Sequence, residues 1–200
     1  VAMDGFGGYK NAATTALPDA VTVMDPFHVV ALAGAKLDAC RQRVQQHIHG
    51  HRGRAGDPLY RARRTLRTRL ELLTPRQRGR LEAVFVNDAH VAVEATWQVY
   101  QHIIAAYADP DTTRGRARLA RLIDTIRAAV PAGLDELATL GRTLHRRRGD
   151  VLAYFTHRAS NGPTEAINGR LEALRRNALG FRNLINYRIR SLLHCGALAL

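Results

Sequence analysis

The sequence predicts a mostly α-helical protein with a small α/β part at its start, organised as one domain that a long helical insertion interrupts. Two short apolar runs near the start each end in an aspartate, Asp4 and Asp25, and a helical segment separates them. Residues 29–155 then show apolar side chains every three or four positions, which is the period of an amphipathic helix. A turn-forming stretch, "SNGP" at residues 160–163, opens a final helical region.

Residues 1–28 are expected to form a strand, a helix and a second strand. The first strand is "VAM" at residues 1–3, the helix covers about residues 9–17, and the second strand is "AVTVM" at residues 20–24. Apolar runs of this kind are typical of buried parallel strands, which need cover on both faces. Because two strands do not make an independent sheet, we expect this segment to belong to a larger sheet whose earlier strands lie outside this chain.

The pattern over residues 29–155 predicts helices and no strand. The stretch "HIHGHRGRAGDP" at residues 47–58 is rich in glycine, histidine and arginine and predicts a loop. The segment "LYRARRTLRTRLELL" at residues 59–73 predicts one basic amphipathic helix, and Thr74 followed by Pro75 marks the start of the next. Further helical patterns cover residues 88–108, 114–129 and 131–155. The remaining residues, 156–200, end in a predicted helix near residues 183–193.

The composition indicates a polyanion as partner. The chain carries 30 basic and 17 acidic residues, a formal net charge of +13, and its isoelectric point is near 11. Lysine occurs only at Lys10 and Lys36, so the positive charge is almost entirely arginine, which binds phosphate through paired hydrogen bonds. A genomic preference for arginine codons explains the choice of arginine over lysine but not the excess of charge. Nucleic acid is the simplest partner.

Several classes of protein are disfavoured by the sequence. It contains no apolar run long enough to span a bilayer, and its start has neither the basic nor the apolar region of a signal peptide. Cys40 and Cys195 stand far apart, which fits a reducing cytoplasm and argues against zinc held by thiolates. No GKS or GKT motif follows the glycines at residues 5, 7 and 8, and no nucleophile elbow is present, so nucleotide-cofactor chemistry and serine hydrolysis are disfavoured.

Three carboxylates occupy positions that suit a divalent cation site. Asp4 and Asp25 each follow a predicted strand, and in open α/β sheets ligands bind beyond the carboxyl ends of the strands. Glu165 lies in the first turn of a predicted helix, behind a flexible turn. Mg²⁺ binds through a few such carboxylates together with phosphate oxygens of the substrate. The alternative is ordinary, because aspartate is common in turns and the helix dipole favours an acid in the first turn.

Two blocks of the sequence carry a more specific signal. The stretches "MDGFGGYKNAATTALPDAVTVMDPFHVV" and "SNGPTEAINGRLEALRRNALGFRN" resemble the ISL-three type of bacterial insertion-sequence transposases, and the similarity runs across essentially the whole chain. These are DDE enzymes with a ribonuclease-H-like core. The resemblance implies that this chain is the C-terminal portion of such a core, with residues 1–28 as a core fragment, 29–155 as an all-helical insertion and 156–200 as the final helices.

The resemblance also implies roles for individual residues. Asp4 matches the second catalytic aspartate and Glu165 matches the catalytic glutamate, both as ligands of Mg²⁺ or of Mn²⁺ in its place. This chain starts too late to contain a match for the first aspartate, so we expect it to be inactive alone. Supporting positions around the metal ligands are expected at Asp25 and His28 of "DPFH", and at Asn161 and Asn168, which flank the glutamate.

The activity that the resemblance implies is Mg²⁺-dependent cleavage and transfer of DNA strands, with the transposon ends and the target duplex as partners. A homo-oligomer on the DNA is compatible with it, and no membrane partner is expected. A basic helix face without interleaved acids repels itself unless an anion neutralises it, which favours phosphate contact over a merely solvated face. The arginines expected at the DNA backbone are Arg61, Arg64, Arg67, Arg146, Arg147, Arg170, Arg175, Arg176 and Arg182.

Alternatives remain open for the function and for two residue clusters. A basic helical protein that binds nucleic acid without catalysis explains the charge equally well, and a helical interaction protein explains the helices alone. His47, His49 and His51 alternate along the predicted loop and are compatible with a shared metal, but no cysteine or acid completes a usual zinc set, so a solvated loop that touches DNA is favoured. Trp97 has apolar neighbours at helical spacing, which favours core packing over contact with flipped DNA.

Overall fold

The computed structural model describes residues 1–5 and 7–195 of the chain. These residues form two compact units, Val1–Ala159 and Ser160–Leu200. The first unit contains a small parallel sheet and a set of packed helices, and the second contains two helices. The prediction of a mostly α-helical chain with a small α/β part is therefore confirmed. The division into a ribonuclease-H-like core and an insertion stays a prediction.

The sheet consists of two short parallel strands, β1 (Ala2–Met3) and β2 (Val23–Met24), with helix α1 (Gly7–Ala16) between them in sequence. Ala2 lies opposite Val23 and Met3 opposite Met24. The second strand is shorter than the sequence predicts because β1 is only two residues long, so only Val23 and Met24 have a strand residue opposite them. Val23 N donates to Val1 O at 2.8 Å, and Asp25 N donates to Met3 O at 3.0 Å.

Every regular element that the structure describes between residues 29 and 155 is helical, as predicted. The α-helices of the first unit after β2 are α2 (Pro26–His49), α3 (Pro58–Leu66), α4 (Pro75–Phe85), α5 (Val91–Ala108), α6 (Thr112–Ala128), α7 (Asp135–Arg146) and α8 (Arg148–His157). Single 3-10 turns at Leu70–Leu72 and Asp88–His90 precede α4 and α5. Thr74 caps α4 as predicted, because its hydroxyl accepts from Gln77 N while the Gln77 side chain accepts from Thr74 N.

Two predicted boundaries were wrong. The loop expected at residues 47–58 begins later, because α2 continues through His49 and ends only at Gly50, whose φ of 71° suits glycine. The basic helix expected over residues 59–73 ends at Leu66 instead. Side chains of α5 satisfy the backbone there: the Tyr100 hydroxyl donates to Arg67 O at 3.1 Å, and Gln101 Nε2 donates to Thr68 O at 2.9 Å. These contacts with a distant helix allow the chain to leave the helical path.

The core of the first unit is one hydrophobic cluster formed by helices α2 to α8, and it includes Met24 of β2. Helix α2 packs on α5 and α7, α6 packs on α5, α7 and α8, and α8 packs on β2. Trp97 packs against this core beside Phe85, with 5.3 Å between ring centroids. The expectation of core packing for Trp97 is confirmed.

Helices α6 and α7 are in close backbone contact at Gly141. A Cβ at this position would lie 2.2 Å from the Ile126 carbonyl oxygen, inside any real contact distance. The absence of a side chain therefore sets the distance between the two helices.

The second unit consists of α9 (Gly162–Asn177) and α10 (Leu184–Cys195), which pack against each other. Its described residues include no buried side chain. Phe181, in the segment between the two helices, packs against Tyr187 of α10 with 5.1 Å between ring centroids. None of the helices described in either unit has the length and apolar character that crossing a bilayer requires.

Candidate functional site

Asp4 and Asp25 lie at the same edge of the sheet. Each directly follows its strand, and the strands are parallel and paired in register through Met3 and Met24. Asp4 is half-buried, whereas Asp25 is 4% exposed. The carboxyl edge of the two strands therefore carries two acids, as the sequence predicts for the edge where α/β sheets bind ligands.

Asp25 serves as the N-cap of helix α2. Its Oδ1 accepts a hydrogen bond from Phe27 N at 2.8 Å, which satisfies a backbone donor in the first turn. Burial, followed by the charges of Tyr154 and Asp25, raises the pKa of Tyr107. Through its cap, Asp25 braces the helix that follows its strand.

His28 lies in the first turn of α2 and lines a cavity of about 710 Å³. Its ring meets that of Phe27 edge-on, with 5.4 Å between centroids. Lys10 and Arg146 line the same cavity, and Met24 is part of its apolar wall. The cavity therefore combines cationic side chains with apolar surface next to the strand ends.

A buried ion network lies beside the segment that carries Asp4. Asp150 of α8 is 5% exposed and accepts hydrogen bonds from Lys10 Nζ at 2.8 Å, Thr22 Oγ1 at 2.6 Å and Arg147 Nε at 2.5 Å. Burial opposes ionisation of Asp150, but these three donors outweigh it, so the pKa of the carboxyl lies below its usual value. Asp150 therefore binds α1, the residue before β2 and α8 through one charged group.

Arg147 extends this network to the first strand. Its Nη1 donates to Gly5 O at 3.4 Å, and its Nη2 lies 3.9 Å from the Met3 sulfur. The residues on both sides of Asp4 are thus in contact with one guanidinium from the helical block. The sequence reasoning missed this role, although the acid three residues after Arg147 in "RRRGD" was a signal for an ion pair.

The expectation that Arg147 contacts DNA phosphate is corrected by this geometry. Arg147 is 8% exposed, and its guanidinium is engaged with Asp150. Arg146, its neighbour, is exposed, and Arg148 pairs with Asp124 at 3.0 Å on the surface. Consecutive arginines at a helix junction point in different directions, and only the structure shows which one is buried.

Glu165 lies in the first turn of α9, as predicted, and is exposed. Asn161 Nδ2 donates to Glu165 Oε1 at 3.4 Å, and Glu165 N donates to Asn161 O at 2.9 Å. Asn168 is exposed one turn further along the helix. Asp4 and Glu165 belong to different compact units, and their convergence stays a prediction.

Carboxylate oxygens at Asp4 and Glu165 are the donor type that Mg²⁺ prefers. Within residues 1–5 and 7–195, no group of three or more His, Cys, Asp or Glu side chains lies close enough to hold a metal ion. The histidine cluster has other contacts: the rings of His49 and His51 stack at 5.6 Å, and His51 Nδ1 accepts from Gly53 N at 3.1 Å. The described structure therefore offers no support for a histidine metal site.

The remaining arginines that the sequence marked for phosphate contact are all exposed: Arg61, Arg64, Arg67, Arg170, Arg175, Arg176 and Arg182. Three of them are engaged by acids. Arg67 Nη1 lies 3.0 Å from Asp38, and Arg175 and Arg176 share Glu172. Exposed ion pairs of this kind contribute little to stability and exchange readily for a stronger anion.

Comparison with known proteins identifies the family. The model of a family described as transposase, of the ISL-three DDE type, matches residues 1–191. The chain belongs to this transposase family. The match includes both strand ends of the sheet and helix α9, so Asp4, Asp25 and Glu165 all lie within the aligned region.

Individual relatives agree with the family match over most of the chain. A transposase for insertion sequence element IS1557 from Mycobacterium tuberculosis is 27% identical over 205 aligned positions, which cover 92% of this transposase chain and 44% of the relative. A protein from Lactococcus lactis named as an ATP-dependent protease is 28% identical over 105 positions, covering 52% of the chain and 31% of that protein. The chain thus spans less than half of either relative's length. No solved structure matches it.

Proposed function

We propose that this transposase chain supplies two of the metal-binding carboxylates, Asp4 and Glu165, for the cleavage and transfer of DNA strands in transposition. The observation that carries the proposal is the position of Asp4. It directly follows the buried Met3 of a strand that is paired in parallel register with the next one, inside the family match. This is the edge at which α/β proteins place their sites, and it supports a ribonuclease-H-like arrangement of the first 28 residues.

Each of the site residues of this chain has its own proposed role. Asp4 and Glu165 hold Mg²⁺, or Mn²⁺ in its place, and Asn161 orients the Glu165 carboxylate through its amide. Bound Mg²⁺ supplies activation of the attacking oxygen and stabilisation of the leaving oxygen. Asp25 caps α2 and keeps the second strand end in place. His28 lines the cavity beside the strand ends.

Duplex DNA is the proposed substrate, at the transposon ends and at the target. The net charge of +13 and the exposed arginines on several helices support a polyanion as partner. Phosphate contacts of this type position a protein on DNA without reading its sequence. Self-association on the DNA and action in the cytoplasm are part of the same proposal.

A thermodynamic cycle with Mn²⁺ tests whether Asp4 and Glu165 share a metal. Binding is measured by electron paramagnetic resonance of free Mn²⁺ for the wild type, Asp4→Asn, Glu165→Gln and the double variant. We expect each single substitution to weaken binding at least about tenfold, because Mn²⁺ loses an anionic ligand. The loss in the double variant should be smaller than the sum of the two single losses, since the two ligands are coupled through one ion.

Glu172→Gln is the matched control, because Glu172 is a half-buried acid on the same helix as Glu165 and pairs with arginines instead. It should bind Mn²⁺ as the wild type does. Additive losses in the double variant, or equal binding by all variants, would exclude a shared metal site. If all variants bind Mn²⁺ equally and the protein still binds DNA, a basic protein without catalytic activity is favoured.

A further inference from the structure

Helices α3 and α4 form a strongly basic pair on the surface of the first unit. Residues 58–85 hold eight arginines and two glutamates, which is nearly half of the chain's net charge. One of the glutamates, Glu71, is bound by Arg69. The other, Glu82, is four positions after Arg78 on α4 but forms no ion pair in the part of the chain that the structure describes. The positive charge of this region is therefore largely uncompensated.

Two of these arginines converge from different helices on one cleft. Arg61 of α3 and Arg80 of α4 both line a cavity of about 260 Å³, whose remaining walls are Pro58, Ala83 and Val84. Val84 is 4% exposed, so the cleft has a firm apolar floor. In the part of the chain that the structure describes, no carboxylate forms an ion pair with either arginine. Two cations held in one cleft without a counterion leave a place for an anion.

Further arginines along the two helices extend the cleft into a basic strip. The start of α3 lies beside the second half of α4, since Pro58 and Val84 line the same cavity. Arg64 lies one turn further along α3 than Arg61, and Arg76 lies one turn before Arg80 on α4; both are exposed. Residues three or four apart on a helix lie on one face, about 5–6 Å from each other. Arg64 and Arg76 therefore continue the two rows that Arg61 and Arg80 begin.

We propose that the α3–α4 cleft, with Arg61 and Arg80 at its centre and Arg64 and Arg76 beside them, is a binding site for the phosphate backbone of duplex DNA. Arginine suits this role because its planar fork matches two phosphate oxygens at once. The apolar floor shields the guanidinium groups from water on one side. Arg80 and Arg76 were not among the arginines that the sequence indicated, and Arg67, which was, pairs with Asp38 instead. The inference rests on the proposed DNA substrate and adds the place where the backbone binds.

The test compares two double variants of equal charge. Affinity for a fluorescein-labelled duplex of random sequence is measured by anisotropy over a range of salt concentrations. We expect Arg61→Ala/Arg80→Ala to weaken binding about tenfold and to make the log–log salt slope less negative by about 1 to 2, since each neutralised phosphate contributes about 0.9. The control is Arg121→Ala/Arg127→Ala, which removes two exposed arginines of α6. Its affinity and slope should stay near those of the wild type.

A conservative variant separates shape from charge. Arg61→Lys/Arg80→Lys should keep the salt slope within about 0.5 of the wild type, because the charge remains, and yet bind several-fold more weakly, because lysine lacks the fork. Equal losses in the α3–α4 variant and the α6 control would overturn the cleft and leave only net charge. Wild-type affinity of the α3–α4 variant would overturn it too, with DNA binding intact. Failure of the wild type to bind any duplex would overturn the DNA substrate itself.

Discussion

Replacing Asp150 by asparagine should lower the free energy of unfolding of the first unit by about 3 kcal/mol at pH 7. The side chains of Asp150 and Arg147 are both nearly inaccessible, and their Oδ2 and Nε atoms are 2.5 Å apart. Removing one partner of a buried ion pair leaves an uncompensated buried charge, which costs about 3–5 kcal/mol. Asparagine keeps the shape and one acceptor, so the lower end is expected. Urea denaturation followed by circular dichroism measures the change.

Asp124→Asn is the matched control for this substitution. Asp124 pairs with Arg148, the residue next to Arg147, but both partners are well exposed, at 53% and 39% of the side chain. An exposed pair contributes about 0–1 kcal/mol, so the control should lose less than about 1 kcal/mol. Equal losses in the two variants would show that burial of the Asp150 network does not contribute to stability.

The effect of Asp150→Asn should depend on pH in a defined direction. The pKa of Asp150 is lower in the folded protein than in the unfolded chain, where an aspartate has a pKa of about 3.9. Its contribution is therefore complete above about pH 4 and is lost as the pH falls through the folded-state pKa. The stability difference between wild type and variant should be constant from pH 7 to pH 5 and shrink below pH 4. A difference that grew on acidification would contradict the assigned ion pair.

Gly141→Ala should destabilise the first unit by about 3 kcal/mol, although alanine is the better helix former. The added Cβ would lie 2.2 Å from the Ile126 oxygen and 2.8 Å from its carbonyl carbon. Both atoms belong to the backbone of α6, which cannot turn aside as a side chain does. Helices α6 and α7 must then separate, and overpacking of this kind costs about 1–3 kcal/mol or more. The loss is measured as a shift of the urea midpoint.

The same substitution at Gly79 should have the opposite sign. Gly79 lies within helix α4, is exposed, and an added Cβ would meet no atom within 4 Å. Alanine favours a helix interior over glycine by about 1 kcal/mol, so Gly79→Ala should raise stability by about that amount. A gain at both glycines would mean that α6 and α7 are not in close contact at Gly141.

Much of the fold was accessible from the sequence because its signals are local. The spacing of apolar residues predicted helices throughout residues 29–155, and Thr74 before Pro75 marked a helix start that the structure contains. The end of α3 was not predictable in this way. It depends on Tyr100 and Gln101, which lie more than thirty residues further along the chain and bond to its exposed backbone.

The candidate site was predictable to the same extent. The strand patterns predicted that Asp4 and Asp25 each follow a strand. In the structure, β1 and β2 pair in parallel, which brings the two acids to one edge of the sheet. The ion network around Asp150 was not found, because it joins Lys10 and Thr22 to a helix more than a hundred residues away. The only sign of this network in the sequence is an acid close to arginines.

The sequence by itself determined the helical character, the basic charge and the motifs of a transposase, because each of these is a property of composition or of neighbouring residues. It also indicated arginine as the side chain expected to bind phosphate. The tertiary structure alone decided which arginines are available. Arg147 is buried against Asp150, whereas Arg61 and Arg80 share a cleft without a counterion among the described residues. A charge is satisfied or left open according to what lies within a few ångströms of it, and only folding brings distant residues to that distance.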